Sequence, residues 1–231
     1  SDVTNKSIAV KGIGDHGIIF DTISVGYATV CGIAKGRVYC WGSDVSGALG
    51  DGFPAADSGT MKPIISSLLE EPIKSISQTR LGAAFIIDNA NRLFLWGPAP
   101  DGTDFFVPQP IDLGGIDLSQ ATALYSYGRA YAVLLEGGEL VVGGDSLSGG
   151  LGFGSGNLTT RLFAHSGIVA SGLGASFSTH IDQKGNVFTV GTVSGVQGDK
   201  ERREVAVEYI RGPFMRVLGS GSYALNAQGQ V

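Results

Sequence analysis

Long apolar runs, clustered histidines and blocks of like charge are all missing from this 231-residue chain. No stretch approaches 18 consecutive apolar residues, so no transmembrane helix and no membrane insertion of this segment is expected. The three histidines, His16, His165 and His180, are scattered and lack the spacing of a metal-binding motif. The Gly-x-Ser-x-Gly elbow of serine hydrolases is also lacking. Two cysteines without clustered histidines do not make a metal centre. Lys and Arg number 16 against 21 Asp and Glu, a net charge of −5 with no basic block. Such a surface repels phosphate, which counts against nucleic acid as a partner. The densest charge, KERRE at 200–204, mixes both signs and reads as a solvated loop. The chain opens at Ser1 without a signal-peptide pattern. No cofactor is expected, and the chain does not read as an enzyme.

Glycine, by contrast, is abundant: 37 residues, roughly twice the usual share. The glycines follow no three-residue period, which excludes collagen. Dispersed glycine beside Val, Ile and aromatic residues reads as many short strands joined by tight turns, an all-β chain. One segment recurs five times: CGIAKGRVYCWG at 31–42, FIIDNANRLFLWG at 85–97, AVLLEGGELVVGG at 132–144, THIDQKGNVFTVG at 179–191 and YALNAQGQV at 223–231. Each copy has an apolar strand, a polar turn and a second apolar strand, the pattern of a β-hairpin. The turn anchors are Gly36, Asn91, Gly138, Gly185 and Gly229. Upstream lie stretches ending in small residues, TISVGY at 22–27, ALYSYG at 123–128, VASGLG at 169–174 and RVLGSG at 216–221. Before these come further apolar runs at 7–13, 62–68 and 109–116, expected to be strands as well. Downstream, WGSDVSGALGDG at 41–52 is echoed by GGDSLSGGLGFG at 143–154.

Four short strands recurring at 40–50 residues are the mark of propeller blades, because one small sheet cannot bury both of its faces alone. The expected fold is a β-propeller of four-stranded blades forming a single domain over 1–231. Its units run approximately 4–60, 61–107, 108–160, 161–202 and 203–231. The structural positions of the repeat are Gly26, Gly36, Trp41, Gly42, Gly47, Gly50, Trp96, Gly97, Gly138, Gly144, Gly149, Gly152, Gly185 and Gly191.

The first unit, ISVGYATVCGIAKGRVYCWGSDVSGALGDG at 23–52, resembles the RCC1 repeat, with its small-residue strand, hairpin, Trp-Gly and Gly-x-Leu-Gly-x-Gly segments in order. Its Cys-containing form is similar to secreted bacterial RCC1-like repeats and to the ectodomain repeats of CRINKLY4-type receptor kinases. Later units depart from the pattern: Gly143 and Val190 stand where Trp41 and Trp96 stand in the first two. The resemblance implies a seven-bladed ring, of which about four and a half to five units are present. This reads as a fragment of such a ring, with a self-closed five-bladed ring as the alternative. It also implies binding: the family's founder is an exchange factor for Ran that also touches chromatin, and a bacterial relative caps β-lactamases. GALGDG at 47–52 lacks the Lys-Ser/Thr of a phosphate-binding loop and reads as a propeller turn.

Around a two-residue turn at 35–36 the strand pairs are Ala34:Arg37, Ile33:Val38, Gly32:Tyr39 and Cys31:Cys40. Hydrogen-bonded and non-hydrogen-bonded pairs alternate from the turn, which puts the cysteines on a non-hydrogen-bonded pair. There the Cα atoms lie about 4.5 Å apart, at the short end of disulfide geometry. A cross-strand disulfide is expected, and the alternative is two buried thiols packing as small hydrophobes. The bond would indicate an oxidising, extracytoplasmic compartment; an intracellular assembly is the alternative. Two sequons offer candidate glycosylation sites at Asn5 and Asn157. The carboxylates of 101–104 and 182–186 form no EF-hand loop, and the second set is accounted for by turn chemistry.

What remains is a non-catalytic, macromolecule-binding module with a protein partner. A structural subunit completed by neighbouring chains and a glycan-binding module are the alternatives. Candidate partner-binding residues are Phe53, after the first glycine run, and Phe105 and Phe106, in the run DFFVP at 104–108, read as a linker; packing of these rings against the next blade is the alternative and the preferred reading.

Overall fold

Short strands with apolar side chains on both faces need cover on both sides, and the computed structural model supplies it by packing sheets side by side. Residues 18–53, 58–64, 66–146, 150–151, 153, 156–163, 166–192, 202–210, 214–218, 223–226 and 228 are described. Asn5, Gly149 and Gly152 lie outside them. The first blade holds β1 (Thr22–Val25), β2 (Thr29–Ala34), β3 (Arg37–Gly42) and β4 (Ser58–Pro63), with a short 3₁₀ turn, Val45–Gly47, between the last two. The second holds β5 (Ile73–Gln78), β6 (Ala84–Asp88), β7 (Leu93–Pro98) and β8 (Asp104–Pro110). The third holds β9 (Ala121–Tyr127), β10 (Ala130–Leu135), β11 (Leu140–Ser146) and β12 (Gly156–Leu162). The fourth holds β13 (Ile168–Leu173), β14 (Phe177–Asp182), β15 (Val187–Thr192) and β16 (Arg202–Ile210), and β17 (Phe214–Leu218) pairs with β18 (Tyr223–Asn226). Every pairing is antiparallel and every four-stranded sheet runs in sequence order. The first strands β1, β5, β9, β13 and β17 pack on one another in succession, so they line the axis, and the fourth strands form the rim.

The repeat is therefore real, but its phase differs from the expected one. The fourth strand of each blade follows the hairpin instead of preceding it. The unit boundaries at 60/61, 107/108, 160/161 and 202/203 fall inside or at the edge of the rim strands β4, β8, β12 and β16. Of the apolar runs at 62–68 and 109–116, the first two residues of each end β4 and β8 and the other described residues form no strand; the run at 7–13 lies outside the described residues. DFFVP at 104–108 is likewise not a linker: it is the body of β8. Two prolines fit there because a rim strand leaves one edge unpaired and β8 carries a register shift opposite Leu95 and Gly97.

The hairpin turns follow simple turn chemistry. Lys35 and Gly36 both have positive φ (51° and 73°), the type I′ geometry of a two-residue turn that matches strand twist. It sets the register Ala34↔Arg37 through Cys31↔Cys40. In the next three blades a three-residue turn closes the hairpin, with Asn91, Gly138 and Gly185 in the left-handed position. The Asp182 carboxylate accepts the backbone N–H groups of Lys184 and Asn186, both at 2.8 Å, so this carboxylate serves the turn.

Alternation along each strand sends one set of side chains to each neighbouring blade. In β6, Ala84 and Ile86 join Cys31, Ile33, Cys40, Leu49, Phe94 and Trp96 in the core between the first and second blades. Phe85 and Ile87 face the other way, into a core with Tyr131, Val133 and Leu135. Ala132, Leu134, Leu140, Leu151 and Leu173 fill the next interface. Trp96 is the centre of the first interface: fully buried, it donates its indole N–H to the Ala48 carbonyl at 3.0 Å, and its ring lies against Gly50. The Gly-x-Leu-Gly loop is thus the seat for the tryptophan of the following blade. Asp44 closes that loop by accepting the Leu49 N–H at 2.8 Å, and Ser146 does the same for Leu151 in the third blade.

Gly143 holds the tryptophan position of the third blade, and the Tyr131 hydroxyl occupies the space a side chain there would fill. Tyr131 stacks near Phe85 at 5.4 Å and donates to Thr160 Oγ1 at 2.6 Å, which itself donates to the Asp112 carbonyl at 2.7 Å. Burial pushes its pKa up from 10 to about 12. A phenol with a raised folded pKa stabilises the fold fully below its unfolded pKa and loses that contribution as pH rises through the folded one. Stability is therefore expected to fall by about 2 kcal/mol between pH 10 and 12 through this group. Urea midpoints at pH 9 and 11.5 should show a loss that is much smaller in Tyr131→Phe; equal losses in both proteins would remove Tyr131 from the account.

Cys31 and Cys40 are joined by a disulfide, with Cα atoms 4.1 Å apart, and both are buried in the first interface. Gln78 reaches across from β5, accepting the Cys31 N–H at 3.0 Å and donating to Cys31 Sγ at 3.0 Å. The bond closes a sequence separation of nine residues, a loop for which chain entropy predicts about 2–3 kcal/mol. The double variant Cys31→Ala/Cys40→Ala should lose about that much in urea titration. A reductant should then leave the variant's midpoint unmoved while lowering the parent's.

Candidate functional site

In an antiparallel blade the first-to-second and third-to-fourth connections emerge on one face of the ring, and the hairpin turns emerge on the other. The first of these faces collects exposed apolar side chains, three from the first blade and one from the second: Tyr27 (80% exposed), Val45 (67%), Phe53 (66%) and Leu81 (53%). Packing of neighbouring loops makes much of this set continuous. A β-carbon at Gly82 would touch Ala48 Cβ at 3.1 Å and lie 3.6 Å from the Val45 carbonyl, so the first blade's loop rests on the second's. A β-carbon at Gly26 would meet the Thr79 carbonyl at 2.9 Å, which brings Tyr27 beside the Arg80 turn. Leu81 reaches on to the third blade, its Cδ1 being 3.9 Å from the β-carbon position at Gly128.

The strip leads into a cavity of about 460 Å³ shared by the second, third and fourth blades. Arg80 and Leu81 form one wall, Tyr127 and Arg129 the next, and Leu173 and Phe177 the third. Asp145 also lines the cavity. Among the described residues neither Arg80 nor Arg129 makes an ion pair; Arg92 with Asp88, at 2.7 Å, is a turn contact elsewhere. The Arg129 Nε is buried without an acceptor. Nearby, the Thr103 N–H and hydroxyl hold the Asp101 carboxyl below its ordinary pKa, with a smaller pull from Arg129. A pocket with two guanidinium groups over apolar walls can bind an anionic group attached to an apolar one.

The positions singled out from the sequence fall in three places. Phe53 stays exposed on the loop face. Phe105 packs against the core between the second and third blades, and Phe106 lies against Gly47, whose β-carbon position is 2.9 Å from its ring. Both rings are half-buried on β8 and pack between strands and loops. Asn157 is exposed on β12. His180 is buried, its ring nitrogens 3.0 and 2.9 Å from the Ser171 and Ser178 hydroxyls and its ring against Phe163 at 4.8 Å. No group of three or more metal-ligating side chains gathers among the described residues, and none of their helices is long and apolar enough to cross a membrane. Arg80, Leu81 and Arg129 escaped sequence reading. Their signal was positional: each sits in the turn after a blade's first strand, as Tyr27 does.

No protein-family model and no curated protein matches the sequence. Solved structures do match in fold. Prp20p from Saccharomyces cerevisiae, studied for its binding to Gsp1p and histones, is 14% identical with a TM-score of 0.71, covering 86% of this chain and 52% of its own. Yeast RCC1 (Prp20) bound to Kap60 is 16% identical with a TM-score of 0.67, covering 87% and 50%. Human WBSCR16 is 15% identical with a TM-score of 0.65, covering 80% and 50%. The chain spans about half the length of the structures it matches, and it has the RCC1-like β-propeller fold.

Proposed function

We propose that the chain is a non-catalytic, extracytoplasmic binding module that holds a protein partner on its loop face. The observation behind this reading is the run of exposed apolar side chains, Tyr27, Val45 and Leu81, leading into the pocket at Tyr127 and Arg129. Exposed apolar surface that is continuous across several elements marks an interaction site. A rigid ring with loops as contacts suits that use. Protein binding by one propeller of this fold, yeast Prp20, supports the same class of partner. The buried Cys31–Cys40 disulfide supports an oxidising compartment. A photo-crosslinking side chain at position 81 should give one discrete protein adduct in the native fluid. The same group at Leu162, exposed at the end of rim strand β12, should give none. Equal labelling from both positions would overturn the assignment of the face.

A second reading, a structural subunit completed by neighbouring blades, rests on the outer side of the first blade. Tyr39 and Trp41 there hold the positions that Phe94 and Trp96 hold in the second blade. Phe20 lies 6.2 and 5.8 Å from their rings, and Ile23 and Val25 on β1 are exposed. Among the described residues no blade covers this side, whereas Trp96 has its Gly-x-Leu-Gly seat. If the side is an assembly surface, Trp41→Glu will abolish any self-association seen in sedimentation; an unchanged profile would rule that use out.

A further inference from the structure

We propose that the pocket at Arg80 and Arg129 is a carboxylate-recognition site, taking an Asp or Glu of an extended partner segment together with a bulky apolar residue next to it. The proposal rests on the loop-face reading above and names the chemistry of what binds there. Three observations carry it. The two guanidinium groups are unpaired among the described residues, in a chain whose net charge is −5. What distinguishes this pair is placement: both line one pocket with apolar walls, and two cations brought together there attract an anion. The buried Arg129 Nε–H has no acceptor among the described residues, and an unpaired buried donor is destabilising. A ligand carboxylate would pair with the outer N–H groups of the same guanidinium, whose planar fork favours that partner over a neutral amide.

The walls decide what accompanies the charge. Leu173 and Phe177 from the fourth blade and Leu81 from the second are apolar, and about 460 Å³ is room for a leucine- or phenylalanine-sized side chain beside the carboxylate. The strip from Tyr27 through Val45 to Leu81 continues outside the pocket, so a bound segment has further contacts beyond it. That continuity favours an internal residue of an extended segment over a chain terminus. Asp145 in the lining repels a second acid placed close to the first, which sets the preferred pattern as one carboxylate flanked by apolar residues.

The test is fluorescence anisotropy of the full chain with a labelled peptide of the pattern Ser-Leu-Glu-Phe-Ser, blocked at both ends, and its Gln counterpart. The Glu peptide should bind at least tenfold tighter, and its affinity should fall as salt is raised. Arg129→Gln should weaken it about tenfold and Arg129→Lys should restore little of that, while the Gln peptide is indifferent to both. Arg80→Gln, at an exposed side chain, repeats the test without touching buried structure. Equal binding of the two peptides, or a Glu peptide insensitive to both arginine variants, would overturn carboxylate recognition. A shortened peptide, Ser-Leu-Glu with a free C-terminal carboxylate, binding better than the blocked five-residue one would transfer the site to chain ends and overturn the internal-residue assignment. Should the peptides fail while crosslinking from position 81 persists, the pocket chemistry is wrong and the binding face stands. Failure of both removes the face as well.

Discussion

Replacing Trp96 with Ala should lower the unfolding free energy by about 4–6 kcal/mol, the largest effect of any single side-chain truncation in the first interface. Deleting a buried tryptophan costs about 3–5 kcal/mol, and leaving the Ala48 carbonyl without its donor adds about 1 kcal/mol. The indole also fills the seat made by Gly50, so the loop that Asp44 braces has nothing to close upon. The informative control is Trp41→Ala. The two residues are equivalent in the repeat, but Trp41 is half-buried and is in ring contact with Phe20. Its truncation should cost about 1–2 kcal/mol, because less apolar area is exposed and no buried acceptor is orphaned. Urea titration followed by far-ultraviolet circular dichroism reads both. Equal losses would mean that the seat in the Gly-x-Leu-Gly loop contributes nothing specific.

Trp96 also shows where the sequence was informative. The hairpins were legible because apolar runs and turn residues repeat at a fixed distance. A two-residue turn then fixes every pair back to Cys31 and Cys40. The partnership of Trp96 with 47–50 was not legible: the two segments look like features of separate units, and only ring geometry brings one blade's loop under the next blade's third strand. The phase of the repeat was hidden for a related reason. Rim strands pack on one side and pair on one edge, so β8 tolerates Asp104, Pro108 and Pro110 and reads as a linker. The pocket was hidden more deeply still. Arg80, Arg129 and Phe177 come from three blades, and the repeat imposes no common residue type after the first strand. Where Tyr131 replaces a tryptophan at Gly143, the substitution crosses from one strand to its neighbour, which a position-by-position comparison of units does not see.

Gly144→Ala is expected to destabilise the fold by about 3–5 kcal/mol and to weaken the pocket at temperatures where the variant is still folded. Gly144 has φ +97°, a conformation that costs an L-residue about 1–3 kcal/mol. Its β-carbon would run into the Arg129 carbonyl oxygen and lie 2.9 Å from Ala130 Cα. Backbone cannot yield as a flexible side chain does, which adds an overpacking cost of about 1–3 kcal/mol. Gly42, Gly97 and Gly191 meet the preceding loop in the same way, at the carbonyls of Ala28, Gly82 and Ser176. The glycine in the C-terminal half of the third strand is therefore a requirement of blade closure in all four blades. Gly102, with φ +89° and nothing within 4 Å of its β-carbon position, isolates the conformational part. Gly102→Ala should cost only about 1–2 kcal/mol, and the difference between the two variants measures the steric part. The functional consequence follows from which carbonyl is struck. Any shift that relieves Gly144→Ala moves Arg129 and, with it, the guanidinium in the pocket wall. The variant should therefore lose affinity for the Glu peptide about tenfold at 15 °C, while Gly102→Ala retains it. If Gly144→Ala binds that peptide like the parent, the Arg129 side chain is held by something other than its own backbone, and its place in the pocket is not set by blade closure.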